Sequence, residues 1–249
     1  METTNDGADD RPTSAARAIN AEAVQRLRIT FGQAGALRYV GHLDMVRTWE
    51  RGLRRAGVPL AYSGGFHPGP RFYFASGLPL GATGRAEIVD VLLTEAITPE
   101  AFLAAVGPHL PPDLSLAHAE EAPLKTPALQ AVLQASVWQV DVESDEPPAA
   151  LAGRIDALLA AEAVSASKRR KGRQVDYDLR PLVLAISYQG QPEPGWHRLS
   201  MTLRSEPSAT GRADAVLAAL GLSEAVARIE RVQLIFTSEH SCDERPATG

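Results

Sequence analysis

The chain has 249 residues, enough for one large domain or two small ones, each with a core of its own. A formal charge of −5 gives no global attraction for nucleic acid, so any such binding has to use a local patch. The one cysteine, Cys242, excludes an intrachain disulfide, a cysteine zinc site and a cysteine-ligated iron–sulfur cluster.

In chain order, residues 1–22 are acidic and rich in small residues, with no apolar core for a signal peptide or membrane span. The expectation is a cytoplasmic protein that no membrane holds, with disordered tails over 1–22 and 240–249. Residues 26–31 alternate Leu27, Ile29 and Phe31 with Arg26, Arg28 and Thr30, which predicts a half-buried strand. Leu43, Val46, Trp49 and Leu53 then recur at helical spacing, with Arg47, Glu50, Arg51 and Arg54 on the wet side, and Gly57 and Pro59 stop the helix. The stretch YSGGFHPGPRFYFASGLPLG, residues 62–81, reads as a rigid loop. Residues 86–94 predict a strand, Thr98-Pro99-Glu100 opens a helix through Val106, and residues 114–120 predict another strand.

The second half repeats that order. Residues 137–142 alternate, with Trp138, Val140 and Val142 inward, and Pro147-Pro148 leads a helix with Leu151, Ile155, Leu158 and Leu159 on its apolar face. A basic loop, KRRKGR, is followed by strands from Leu182 and Trp196, a helix over 212–220 and a last strand over 227–237. The predicted fold class is α+β, an α/β sandwich of two tandem ferredoxin-like βαββαβ domains, 23–122 and 131–239, joined by the linker 120–130.

Two segments stand out chemically. In GGFHPGPR the glycines open backbone angles closed to other residues and the prolines fix φ, so Tyr62, His67 and Arg71 become fixed contacts for a phosphate, a base or a partner. The plainer reading is a packed turn with Phe66, Phe72 and Phe74 as core plugs. KRRKGR concentrates Lys168, Arg169, Arg170, Lys171 and Arg173 on an acidic chain, with Tyr177 and Arg180 just downstream. That is the pattern of a clamp on RNA phosphates with a ring to stack on a base; the plainer reading is a solvated loop. Because both segments follow the first helix of their half, they are expected to reach one shared cleft. His42 and Asp44 at the first helix start form a possible polar site, although a helix cap and a dipole partner explain them too. No nucleophile elbow, phosphate-binding loop, dinucleotide fingerprint or metal-ligand spacing is present, so neither catalytic residues nor a cofactor are assigned.

The run RYVGHLDMVRTWERGLRRAGVPLAYSGGFHPGPRFYFASGLPLGATGRAEIVDV, with KGRQVDYDLRPLV downstream, resembles the radical-SAM-linked protein family, a bacterial domain of unknown function. Here His67 stands where that pattern usually has Asn, and Gly69 where it often has His. The resemblance implies an accessory role beside a separate radical SAM protein acting in trans, in an RNA-processing setting. The chain lacks the cysteine triplet of such an enzyme. The expected function is therefore a non-catalytic module that binds RNA, or another phosphate-rich substrate, for that enzyme. Two alternatives stand beside it. One is an RNA-modifying or RNA-processing enzyme using His42 or His67 as acid/base, with Asp44 or Asp176 assisting. The other is a protein–protein adaptor docking through the aromatic loop.

Overall fold

The computed structural model describes residues 22–237 except Gly65 and Lys171, and not the side chains of Arg169 and Arg170. The tail readings for 1–21 and 240–249 lie outside these residues. The fold is mixed α/β, with few helices on one large mixed sheet. In the first half, β1 (Gln25–Gln33) is followed by α1 (His42–Arg55), β2 (Phe72–Phe74), β3 (Thr83–Leu93), α2 (Pro99–Val106) and β4 (Leu114–Ala122). A short α3 (Leu129–Val132) leads into β5 (Leu133–Glu143) and α4 (Pro148–Ala160). Next come β6 (Ser165–Arg170), β7 (Arg173–Asp178), β8 (Val183–Gly190), β9 (Trp196–Glu206) and β10 (Ala209–Thr210). The chain closes with α5 (Ala213–Ala219) and β11 (Ala227–Phe236).

The strands of the first half lie in the order β4-β1-β3-β2, and those of the second in the order β11-β5-β9-β8. The two halves share one nine-stranded sheet because β11 pairs in parallel with the start of β3, Glu230 beside Thr83 and Arg231 beside Gly84. Short β2 occupies the later part of the same β3 edge.

On one face of the first half, Leu27, Ile29, Phe31, Val89, Val91 and Leu93 meet Met45, Trp49 and Leu53 of α1 and Phe102 and Val106 of α2. Leu43 is 72% exposed, and Met45 holds the core position it was expected to fill, four residues before Trp49. Phe72 and Phe74 are core plugs as read, whereas Phe66 is 96% exposed. In the second half, α4 and α5 bring Leu151, Ile155, Leu158, Val216 and Leu217 onto Trp138, Val140, Leu199, Met201 and Leu203.

The half-buried reading of β1 is corrected, because its other face is buried as well. Arg26 and Arg28 both donate to Asp90 on β3, a carboxylate with no solvent exposure, through Nε at 3.0 Å each. Arg26 also donates to the Thr126 and Pro127 carbonyls. Leu129 is fully buried, and the Gln130 amide donates to the Phe74 carbonyl. The connection read as a linker is thus exposed over most of its length but docked at its ends. Alternation in β1 misleads because guanidinium groups supply the donors that permit burial beside a carboxylate.

KRRKGR is a hairpin rather than a loop. Strands β6 and β7 form a separate two-stranded ribbon, with Lys168 opposite Val175, Ala166 opposite Tyr177 and Gly172 in the turn at φ 78°.

The halves are also clamped by side chains. Arg231 Nε donates to Glu87 Oε1 at 2.8 Å and its Nη2 to Oε2, and both side chains are 3% exposed. Gly84 makes room for this pair, since a Cβ there would lie 2.6 Å from Glu87 Oε1. Glu87→Gln leaves Arg231 charged and unmatched, and should cost about 3–5 kcal/mol in denaturant unfolding. A loss below about 1 kcal/mol, the scale of one ordinary hydrogen bond, would contradict this role.

Candidate functional site

A cleft of about 470 Å³ opens where the start of α1, residues 76–79, the β6–β7 ribbon and the turn before α5 meet. The first half contributes His42 and residues 76–79. The His42 ring is exposed, stands edge-on to Phe74 at 5.5 Å, and lies over Gly77, where a Cβ would sit 3.2 Å from Nδ1. Arg231 fixes this segment from below by donating to the Ser76 carbonyl at 3.2 Å, the Gly77 carbonyl at 3.4 Å and Ser76 Oγ at 3.3 Å. Trp138, buried in β5, lies beneath the Arg231 guanidinium at 5.3 Å and donates through Nε1 to Ser136 Oγ.

The ribbon supplies Lys168 and Tyr177, which the antiparallel register puts on the same side two pairs apart. Lys168 Nζ stands 4.8 Å from the Tyr177 ring centre and has no carboxylate partner among the described residues. Arg212, by contrast, is tied in a fork to Asp214, with Nε to Oδ1 at 2.9 Å and Nη2 to Oδ2 at 2.7 Å. Burial, then the nearby Asp214 charge, raise the Tyr177 hydroxyl above its ordinary range, against a smaller opposing effect of Arg212. Burial pushes the Asp214 carboxyl up, but the Arg212 fork outweighs it and leaves the group below the usual carboxylate range. The same fork raises Arg212. At neutral pH the cleft therefore presents a neutral phenol, a self-neutralised Arg212–Asp214 pair and the uncompensated charge of Lys168.

Of the expected contacts, the structure brings together His42, Lys168 and Tyr177 in this cleft. Tyr62, His67 and Arg71 do not line it. Tyr62 pairs with Pro70 beneath Arg54, and His67 stands edge-on to exposed Phe66 at 5.3 Å. Arg71 joins the backbone to Ala61 and Leu92. The expected meeting of GGFHPGPR with the basic segment at one cleft is not what the structure shows: no residue of GGFHPGPR lines the cleft, and residues 76–79, further along the chain, face the ribbon instead. Arg173 is exposed on the ribbon. Arg180 is placed structurally, donating to the carbonyls of Leu159 and Val183. Lys171 and the side chains of Arg169 and Arg170 lie outside the described residues. Asp44 is held by Arg47 at 2.8 Å and makes no bond to His42. Among the described residues no cluster of three or more His, Cys, Asp or Glu side chains is arranged for a metal ion.

Sequence reasoning missed Arg212, Glu87 and Arg231. The available signal was a charge at an inward position of an otherwise apolar strand, Glu87 in AEIVDVLL and Arg231 in RVQLIF.

Residues 26–212 match the model of a bacterial family described as "Uncharacterized protein conserved in bacteria (DUF2344)". That span takes in every cleft residue named above except Asp214 and Arg231. A comparison with curated proteins gave no match. Among solved structures, a chain from "Crystal Structure of a Cbf5-Nop10-Gar1 Complex" superposes with a TM-score of 0.43 at 11% identity. The superposition covers 86% of this chain and 50% of that one. No helix among the described residues is long and apolar enough to cross a membrane.

The electrostatics yield a titration test. In the difference between wild type and Tyr177→Phe, phenolate absorbance should rise at a pH above that of free tyrosine, and Asp214→Asn should bring the midpoint down. The neutral phenol is the form that burial favours, so its stabilising contribution is present below the unfolded pKa and is lost as pH rises through the folded value. A midpoint at or below that of free tyrosine would contradict the cleft environment described.

Proposed function

The chain belongs to this uncharacterised bacterial family, DUF2344, and we propose that its cleft binds single-stranded RNA without performing chemistry on it. The observation that carries this reading is Lys168, a cation with no acid partner among the described residues, seated over a ring that is itself open to the cleft. A phosphate satisfies the lysine, and the Tyr177 face accepts a base without regard to its identity. The open face of the sheet in the second half offers the instructive contrast. There Arg198 is bound to Asp141, Arg204 to Glu206 and Arg228 to Glu193, so a polyanion would have to displace a carboxylate at each contact.

The resemblance to radical-SAM-linked proteins supplies the partner in this proposal, a separate radical SAM enzyme to which the RNA is presented. In the same reading each half is a ferredoxin-like unit, supported by the matching strand orders β4-β1-β3-β2 and β11-β5-β9-β8. A second reading, a docking adaptor, is favoured by one observation: Phe66 stands 96% exposed at the tip of the GFHPGPR loop.

Fluorescence anisotropy with a labelled single-stranded RNA across a salt series tests the proposal. Lys168→Gln should weaken binding and reduce the slope of log K against log salt by about 0.7, one single-strand phosphate contact. Tyr177→Ala should cost about 1–3 kcal/mol of binding, with the slope unchanged. If both variants bind as wild type does, or wild type binds no RNA with the radical SAM partner present, the cleft reading fails. In the latter case, loss of partner binding in Phe66→Ser would favour the adaptor.

A further inference from the structure

A second basic groove, of about 410 Å³, shares no lining residue with the cleft. It runs between the later turns of α1 and the turn around residues 107–111, and Thr48, Arg51, Gly52 and Arg55 form its helical wall. Those positions recur at three- and four-residue spacing, so they share one face. At roughly 100° per residue that face lies on the far side of the helix from His42.

The charges of α1 divide by face. Arg47 pairs with Asp44 and Arg54 with Glu50, each at 2.8 Å. Arg51 makes only a long bond to Thr48 Oγ1, at 3.4 Å, and among the described residues neither Arg51 nor Arg55 has a carboxylate partner. Across the groove stands His109, and no acidic side chain lines it. Two like charges one turn apart work against the helix by about 0.2–0.5 kcal/mol. The negative end of the helix dipole accounts for a cation at Arg55 in the last turn. It does not account for Arg51 a turn earlier, nor for a lining that holds two arginines and no acid on an acidic chain. The groove is also built rather than incidental. A Cβ on Gly52 would lie 2.5 Å from Leu110 Cδ2 and 3.4 Å from the His109 carbonyl, so glycine is what lets the turn close against the helix.

We propose that this groove is a second anion site, one that takes a phosphate group on the guanidinium forks of Arg51 and Arg55. Guanidinium matches phosphate oxygens in paired, parallel hydrogen bonds, and among the described residues no carboxylate competes for this pair. The site stands independently of the cleft reading. Its phosphate has two possible sources, the backbone of a bound RNA or a free phosphate compound, and the test separates them.

The full chain is compared with Arg51→Gln/Arg55→Gln and with Lys168→Gln, using calorimetry with pyrophosphate and the labelled RNA salt series. Both arginines are exposed, so the double variant should keep the wild-type circular dichroism. If the source is a free phosphate compound, pyrophosphate binds wild type and Lys168→Gln alike and binds the double variant about tenfold more weakly or worse, the equivalent of one charged hydrogen bond. If the source is RNA, the double variant lowers the salt slope by about 1.4, two single-strand contacts. Either result supports the site. A double variant indistinguishable from wild type with both probes, or pyrophosphate binding abolished by Lys168→Gln alone, overturns it.

Discussion

The Arg231–Glu87 pair is the interaction on which the rest of the arrangement depends. The seam between the halves is narrow, since β11 and β3 align over Glu230–Thr83 and Arg231–Gly84. An apolar patch of Ala75, Ile88, Leu129, Val132, Leu133, Leu234 and Phe236 supports it. Apolar contact alone leaves orientation loosely determined. A buried guanidinium with its acid in place contributes little net stability, because desolvation offsets the attraction, but it tolerates very few geometries. Arg231 uses its remaining donors on the Ser76 and Gly77 carbonyls, and that segment bears on His42. One side chain from the last strand thereby fixes the joint between halves and the floor of the cleft at the joint.

The distribution of charge follows from the same logic. A net acidic chain repels polyanions at long range, so recognition depends on places where cations lack acids nearby. Among the described residues most arginines are answered. Arg26 and Arg28 share Asp90, Arg231 has Glu87, Arg212 has Asp214, and the open sheet face is a set of matched pairs. Lys168, on the separate β6–β7 ribbon, is left unmatched among the described residues, as are Arg51 and Arg55 on the far face of α1. In the proposed reading the unmatched cations are where an anion is accepted, because there it displaces no carboxylate.

Much of the element order was legible in the sequence, because periodicity reports burial directly. Trp138, Val140 and Val142 in β5 and Leu199, Met201 and Leu203 in β9 face the core as their alternation predicts. Helix starts were legible where chemistry marks them, as at Thr98, whose hydroxyl accepts from the Ala101 amide. What failed has a common cause. Arg26 and Arg28 were assigned to water, yet both are buried on Asp90 of another strand, and Glu87 and Arg231 went unread although each is a charge at an inward position, because nothing local names the distant partner that permits the burial. The basic run was visible, but its ribbon form was not, since Ser165–Arg170 is too polar to read as a strand. His42, Lys168 and Tyr177 were each marked from local chemistry; that they share a cleft depended on the β11–β3 seam, which no local feature announces.

Ultraviolet cross-linking of a single-stranded RNA to the intact protein, with adducts located by mass spectrometry, tests the central claim most directly. The account predicts adducts on the cleft wall, at Tyr177 and its ribbon neighbours, that disappear in Glu87→Gln where the joint is disturbed. Adducts confined to Phe66 or to Trp196 on the open sheet face would contradict it.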